Sequence, residues 1–163
     1  DYIVLTGNPH TKVSMDTIAR ATEELASVAK GRMMIVAGKM HGAGAGNTDT
    51  LKTVKQIADA GADVIMFGAP GTLPGYDVEK VHELIDEAKR LGMLTKTAIG
   101  TAQEGAPIDT IKQIALMSKM AGADIMHIGD AGVGGISSPM NAMAISLVLR
   151  GEVHTYRRMA LRR

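Results

Sequence analysis

An α/β fold of five consecutive β-α units with parallel strands is predicted for this 163-residue chain by three observations. Short apolar runs alternate five times with amphipathic stretches, each unit taking roughly thirty residues. The strand runs are apolar at nearly every position, as in strands covered on both faces by crossover helices. An internal echo also recurs two units apart: DAGADVIM at 59–66 and MAGADIMH at 120–127 share Ala-Gly-Ala-Asp ahead of an apolar run.

Each element has its own signal. Tyr2 to Thr6 is an apolar, β-branched run stopped by Gly7-Asn8-Pro9. Ser14 is placed to cap a helix whose Ile18, Ala21, Leu25 and Val28 recur at three- and four-residue spacing up to Gly31. Met33 to Ala37 is the second strand and runs into GKMHGAGAGN, residues 38–47. Thr48 or Asp49 can cap the next helix, with Leu51, Val54, Ile57 and Ala58 on one face and Gly61 at its end. ADVIMFGAPGTLPG supplies the third strand and a Pro/Gly loop. Asp77 then caps a helix carrying Val81, Leu84, Ile85 and Ala88 and stopped at Gly92. MLTKTAIG is the fourth strand, followed by a helix of Ile108, Ile111, Ile114, Ala115 and Met117. ADIMHIG is the fifth. The last helix runs from Ser138-Pro139, with proline in its first turn, to Arg150.

Two architectures accept five such units. They are either the last five of a (β/α)8 TIM barrel, which takes about 250 residues, or an open, doubly wound sheet of flavodoxin type. The barrel is favoured, because the chain opens as though already inside a strand and lacks the polar alternation of an exposed edge. Residues 1–163 are then one α/β domain, expected to be a fragment of a longer barrel lacking its first three β-α units.

Composition narrows the function. Eighteen Lys and Arg balance seventeen Asp and Glu, and the charges are mixed along the helices, which argues against a nucleic-acid surface; RRMALRR at 157–163 reads as a solvated end. The absence of cysteine excludes disulfides and thiolate chemistry and, with no secretory leader, fits the cytoplasm. No apolar run is long enough to span a membrane. Aromatic residues are 2% of the chain, too few for base stacking, and the twelve methionines are expected to fill an aliphatic core.

In both architectures ligands sit where strands end and β-to-α loops begin. Asn8, Lys39 and His41, Thr72, Thr101 and Glu104, and Asp130 fall there. Lys39 and His41 are two apart and would project together as a cation and a pH-tunable base. Lys96 lies within a strand, so it lines the barrel interior or reaches an edge. Desolvation would lower its pKa and suit it to Schiff-base chemistry. His127 faces the barrel mouth or is a satisfied core histidine. Asp63 and Asp124, opening strands at the opposite end, are structural, and His82, Glu83 and Asp86 belong to an exposed helix face. HIGDAGVGG at 127–135 is the richest signal: Gly129, Gly132, Gly134 and Gly135 can turn main-chain N–H groups toward a phosphate, with a helix start just downstream. Gly100 and Thr101 add a second loop of this kind. Asp130 beside such a site would orient a hydroxyl or, with Glu104, hold an oxygen-bound divalent ion such as magnesium.

DYIVLTGNP, IVAGKMH, APGTLPG, TAIGTAQEGA, HIGDAGVGGI and RGEVHTYRRMA, in this order, resemble the C-terminal part of a bacterial family of uncharacterised (β/α)8-barrel proteins loosely labelled phosphonomutase-like. The resemblance implies the barrel, with about a hundred residues and three β-α units preceding those here. Many members of the phosphonomutase and isocitrate lyase superfamily use a cysteine-bearing catalytic loop and acidic metal ligands. This chain has no cysteine.

The expected function is an enzyme, a lyase or isomerase, acting on a small phosphorylated or carboxylated metabolite by proton transfer or C–C lyase chemistry. Lys39 would hold the anionic group, His41 or Glu104 would move the proton, and the loops at 100–105 and 129–135 would bind phosphate. A non-catalytic ligand-binding module, or a self-assembling one, is the alternative. A homo-oligomer is expected.

Overall fold

The computed structural model describes residues 1–7, 11–29, 31–39, 49–100, 103–129 and 137–161. Five strands, β1 (Tyr2–Leu5), β2 (Met34–Gly38), β3 (Val64–Gly68), β4 (Leu94–Ile99) and β5 (Ile125–Ile128), alternate with helices α1 (Met15–Ala29), α2 (Leu51–Asp59), α3 (Val78–Arg90), α4 (Ile108–Met120) and α5 (Pro139–Ala160). All strand pairs are parallel and the spatial order is the chain order, β1-β2-β3-β4-β5.

That order decides between the two predicted architectures. A doubly wound sheet reverses direction at a switch point and carries helices on both faces. Here no reversal occurs, and the helices share one face. Ala37, Ile65 and Phe67 pack with Met15, Ile18, Val54, Ile57, Val81, Leu84 and Ile85 of the first three helices. Ile99 packs with Ile111, Ile114 and Ile145 of the last two. The alternate strand positions, Val36, Val64, Met66 and Ala98, form a separate cluster with Val4 that includes no helix residue. Five parallel strands thus curl into a half-barrel with the helices outside, as the sequence predicts.

The inner face is less covered than uniformly apolar strands suggest. Tyr2, Met34, Leu94 and Ile125 all point inward near the strand starts and are exposed. The methionines divide accordingly: Met15, Met66 and Met93 are core, whereas Met33, Met34, Met120, Met140 and Met159 are exposed.

The two Gly-Ala-Asp repeats close the end of the sheet where the strands start. Asp63 Oδ2 accepts from the Ile35 N–H at 2.8 Å, and Asp124 Oδ2 accepts from the Thr95 N–H at 2.9 Å and from its hydroxyl at 2.7 Å. Each carboxylate ties the start of its own strand to the preceding one. Burial works to raise the Asp124 pKa, but the bonds from Thr95 and the Lys89 ammonium at 3.2 Å hold it below the ordinary carboxylate range. The structural reading of both aspartates stands on these bonds.

Helix ends follow their caps, with three differences from expectation. Ser14 and Asp77 cap as predicted, accepting from Thr17 N at 3.2 Å and Lys80 N at 2.7 Å. The cap of α2 is Thr50 rather than Thr48 or Asp49, because Thr50 and Thr53 exchange side-chain and backbone bonds in a reciprocal box. Val28 is exposed, since the buried stripe of α1 runs through Met15, Ile18, Ala19, Thr22 and Ala29. The final helix does not stop at Arg150: Gly151, at φ 77°, bends it and a second segment runs on to Ala160. The bend brings Ser146 Oγ within 3.0 Å of Thr155 Oγ1, so the second segment folds back on the first. Residues 157–160 of the basic tail are therefore helical.

Phe67 is fully buried between sheet and helices, whereas Val28 is 68% exposed. Phe67→Ala should cost about 3–5 kcal/mol and Val28→Ala under about 0.5 kcal/mol in urea denaturation. Similar losses for the two would contradict the assigned core.

Candidate functional site

Two groups of side chains gather, one reaching from the middle of β4 to the loop after it and the other where β2 and β3 become loops. The first lies on the inner face. Register pairs Lys96 with Ile125 and Ala98 with His127, so Lys96 and His127 project from adjacent strands on the same side. Lys96 is 6% exposed, and its Nζ stands 5.6 Å from the Tyr2 ring centroid. Of the two placements expected for this lysine, the interior and an edge, the register puts it on the inner face. Burial in apolar surroundings pulls its pKa below the ordinary lysine range.

Glu104 comes from the short 3-10 turn Gln103–Gly105 after β4. Asn141 of α5 pins that turn by donating to the Glu104 carbonyl at 3.2 Å and to the Ala106 carbonyl at 3.4 Å, and Gln103 Nε2 donates to the Gly71 carbonyl at 3.2 Å. The Glu104 carboxylate lies against Gly129, where an added Cβ would stand 3.4 Å from Oε1. Glycine here leaves room for the carboxylate, and the Gly129 N–H is already committed to the Ile99 carbonyl at 3.1 Å. Glu104 Oε2 is buried with no hydrogen-bond partner among the described residues. An acceptor so placed is costly unless something supplies a donor. Burial, then the Lys96 charge, depress the His127 pKa, while Glu104 pulls it upward. His127 thus feels the charges of both Lys96 and Glu104.

The second group lies at the ends of β2 and β3. Gly38 has φ 139°, and a Cβ there would fall 2.2 Å from the Met66 carbonyl oxygen, so only glycine lets β2 turn this closely against β3. Lys39 follows immediately and is 4% exposed. Its pKa is lowered by burial and supported by the Asp49 charge. Asp49 is also buried: Tyr76 donates to its Oδ2 at 2.6 Å, and its own N–H donates to the Tyr76 oxygen at 3.1 Å. Burial drives the Asp49 carboxyl up to about 6, against the Tyr76 bond and the Lys39 and Lys80 charges. Burial and then the Asp49 charge raise the Tyr76 hydroxyl above its ordinary range. Thr72, also at this rim, turns its hydroxyl onto the Ala69 carbonyl at 2.6 Å.

The structure therefore brings Lys96, Glu104 and Gly129 together with His127, places Gly100 buried at the end of β4, and assigns Lys39 to a different neighbourhood. Asn8, His41, Thr101, Asp130, Gly132, Gly134 and Gly135 lie outside the described residues. Among the described residues no three His, Asp or Glu side chains converge on a metal position, and no helix is long and apolar enough to cross a membrane. Asp49, Tyr76 and Asn141 carry site geometry that the sequence reading passed over. Asp49 resembled a helix cap. Its tyrosine partner lies 27 residues away and gives no local signal.

The strand order, the one-sided helices and the polar groups gathered where strands end define a protein of the (β/α)8-barrel class. Within that class, the chain belongs to the family described as Domain of unknown function DUF7916, which it matches over residues 1–163. No curated protein matches the sequence. Among solved structures, it is similar to the tetrameric deoxyribose phosphate aldolase of Aeropyrum pernix, with TM-score 0.61, 15% identity, and coverage of 90% of this chain and 70% of the other. A protein from Coccidioides immitis assigned as a deoxyribose-phosphate aldolase has TM-score 0.66 and 13% identity, covering 90% and 66%. 2,3-Dimethylmalate lyase, of the PEP mutase/isocitrate lyase superfamily, has TM-score 0.60 and 16% identity, covering 85% and 48%. The chain thus spans 48 to 70% of the length of these structures, and at such identities the likeness is one of fold.

A carboxyl whose folded pKa is raised from 3.8 to about 6 holds its proton more tightly than the unfolded chain does. Its stabilising contribution is present at acid pH and is lost as pH rises through 6. Asp49→Asn removes that loss, so the variant should gain on the wild type by about 2 kcal/mol between pH 4.5 and pH 7.5 in denaturant titrations. A pH-independent difference would place the Asp49 pKa at its ordinary value.

Proposed function

We propose that the chain carries the catalytic centre of a carbon–carbon lyase of aldol type acting on a small carbonyl compound that bears a phosphate or carboxylate. The observation carrying this reading is Lys96, a buried amine of lowered pKa on the inner face of a half-barrel, whose charge acts on His127, itself also under the influence of Glu104. The enzymes with a similar fold whose names specify aldolase and lyase activity support the class without naming the substrate.

The chemistry follows from the three groups. Lysine is a nucleophile only as the free amine, and burial enlarges that fraction near neutral pH. The neutral Nζ adds to the substrate carbonyl carbon. Proton transfers through His127 and Glu104 then expel the oxygen as water and leave an iminium on Nζ. The iminium accepts the electron pair of the breaking C–C bond, the second fragment leaves as a carbonyl compound, and reprotonation followed by addition of water frees the product and Lys96. His127, with its pKa depressed, is neutral at physiological pH and able to take a proton. Glu104 Oε2, buried and lacking a partner, is placed to accept a substrate hydroxyl or the imidazole proton. Lys39 holds the anionic group at the rim, and the glycine loops at 100–105 and 129–135 add main-chain donors.

Self-association completes the reading. The Aeropyrum pernix aldolase is described as tetrameric. Light scattering should give a mass above the 17.1 kDa of one chain, and a monodisperse monomer would remove this part. For the chemistry, borohydride added with pyruvate, hydroxyacetone phosphate or acetaldehyde should leave a reduced adduct on Lys96, read by peptide mass spectrometry. It should vanish in Lys96→Met and grow as pH rises toward the lowered lysine pKa. The absence of an adduct at Lys96 with any of these carbonyl compounds would end the Schiff-base reading.

A further inference from the structure

The exposed tyrosine that opens β1 reaches the buried lysine of β4. Their strands are separated by β2 and β3, a spacing of about 14 Å on a flat sheet. The Lys96 Nζ nevertheless stands over the face of the Tyr2 ring, 5.6 Å from its centroid, so the two side chains meet across the concave interior. Register gives the direction of approach. Tyr2 shares a row with Met34, whereas Lys96 shares one with Met66 and with Gly38, further along β2. His127 pairs with Ala98, beyond Lys96 toward the strand ends. The ring therefore covers Lys96 from the side of the strand starts, and the imidazole stands on the side of the loops. β2 and β3 present Met34, Val36, Val64 and Met66 to this face, none of which titrates. Of the titratable groups, His127 feels the Lys96 charge, and Glu104 acts on His127 in turn.

We propose that Tyr2 is a positioning residue for Lys96: its ring face holds Nζ from beneath and favours positive charge on that nitrogen, first as the ammonium and then as the iminium formed with substrate. The iminium half rests on the reading of Lys96 as a Schiff-base nucleophile, whereas the ring contact does not. An aromatic face attracts a cation through its quadrupole, and more strongly where water is excluded. Lys96 is 6% exposed, and burial disfavours its charged form. The ring offsets part of that cost without setting a carboxylate against the amine. A carboxylate would hold the ammonium in an ion pair, while the neutral amine gains nothing from the ring and stays free to attack. When the carbonyl condenses, positive charge returns to the same nitrogen and meets the ring again. With Tyr2 beneath, the open approach to Nζ is from the side of His127, where the proton transfers take place.

Carbon NMR of the lysine Cε across pH, on the full chain, reads the charge on Nζ directly, with the Lys96 signal identified by its loss in Lys96→Met. Tyr2→Phe keeps a ring and should titrate with the wild type. Tyr2→Leu keeps apolar cover without a π face, so the Lys96 acid dissociation constant should rise about threefold to tenfold, moving the midpoint to lower pH. Tyr2→Trp, with the stronger face, should move it the other way. The Tyr2 side chain is 64% exposed, so each variant should fold, as circular dichroism checks. His127→Gln, titrated in parallel, removes the imidazole step from the curve. A Tyr2→Leu midpoint equal to that of the wild type overturns the inference. So does a shift in Tyr2→Phe as large as that in Tyr2→Leu, which assigns the effect to the hydroxyl. Should Tyr2→Leu not fold, Tyr2→Trp decides, and a midpoint at or below that of the wild type overturns the inference. The aldol reading is judged separately. A shifted midpoint with no borohydride adduct on wild-type Lys96 upholds the ring contact and ends the Schiff-base chemistry, whereas an adduct together with an unshifted midpoint in Tyr2→Leu does the reverse.

Discussion

Parallel pairing in chain order is the constraint from which the rest of the molecule follows. Side chains alternate with a period of two along a strand, so residues sealed against the helices determine where their neighbours point. Ile65 and Phe67, locked under α1 to α3, force Val64 and Met66 inward. Thr95, Thr97 and Ile99 do the same for Lys96 and Ala98. A one-residue slip of β4 would bury the lysine among the helices, where desolvation would be far less tolerable. The placement of Lys96 on the inner face is thus a consequence of hydrophobic packing on the other side of the sheet.

The two ends of the sheet divide the polar residues between structure and chemistry. Where strands begin, Asp63 and Asp124 have their hydrogen bonds filled by strand N–H groups, and Asp124 has Lys89 as well. Their carboxylates are engaged in holding neighbouring strands together. Where strands end, Glu104 keeps a buried oxygen unpartnered among the described residues, and burial raises the Asp49 pKa to about 6. Carboxyls left unpartnered or shifted upward by burial lie at that end among the described residues, as they do at functional sites. This polarity, rather than likeness to any one enzyme, is the reason to look for the chemistry there.

The same division explains what was legible in the sequence. Five β-α units could be read because apolar periodicity and caps such as Ser14 and Asp77 are local signals. The Gly-Ala-Asp echo exposed the repeat, and its aspartates were assigned to structure because they open strands. Lys96 stood out as a charge inside an apolar run. The pairing of Asp49 with Tyr76 was invisible, since it joins two loops through a register that only the folded sheet creates. Proximity to a helix start made Asp49 look like a cap, a role that the Thr50–Thr53 exchange fills better. The turn at Gly151 was missed because amphipathic residues continue on both sides of it, and one glycine in a helical stretch does not reveal a reversal. Lys39 was expected to project together with His41, which lies outside the described residues, and the Asp49 charge that acts on it was not read from the sequence.

The two buried lysines, Lys39 and Lys96, show how one residue type meets different surroundings. Burial lowers the pKa of both. For Lys39, the Asp49 charge acts in the opposite sense, favouring the ammonium and thereby a cation suited to holding an anion. For Lys96, no carboxylate lies in ion-pair range among the described residues. Its neighbours are the face of Tyr2 and His127, whose pKa the lysine charge itself depresses. Nothing there offsets desolvation strongly enough to keep the amine protonated as firmly as in water. A nucleophilic amine and an anion-holding ammonium require opposite protonation states at one pH, and an opposing carboxylate charge acts on Lys39 alone of the two. That difference is the reason for proposing Lys96 as the nucleophile and Lys39 as the anchor of the anion, since exchanging them would set each lysine against its own environment.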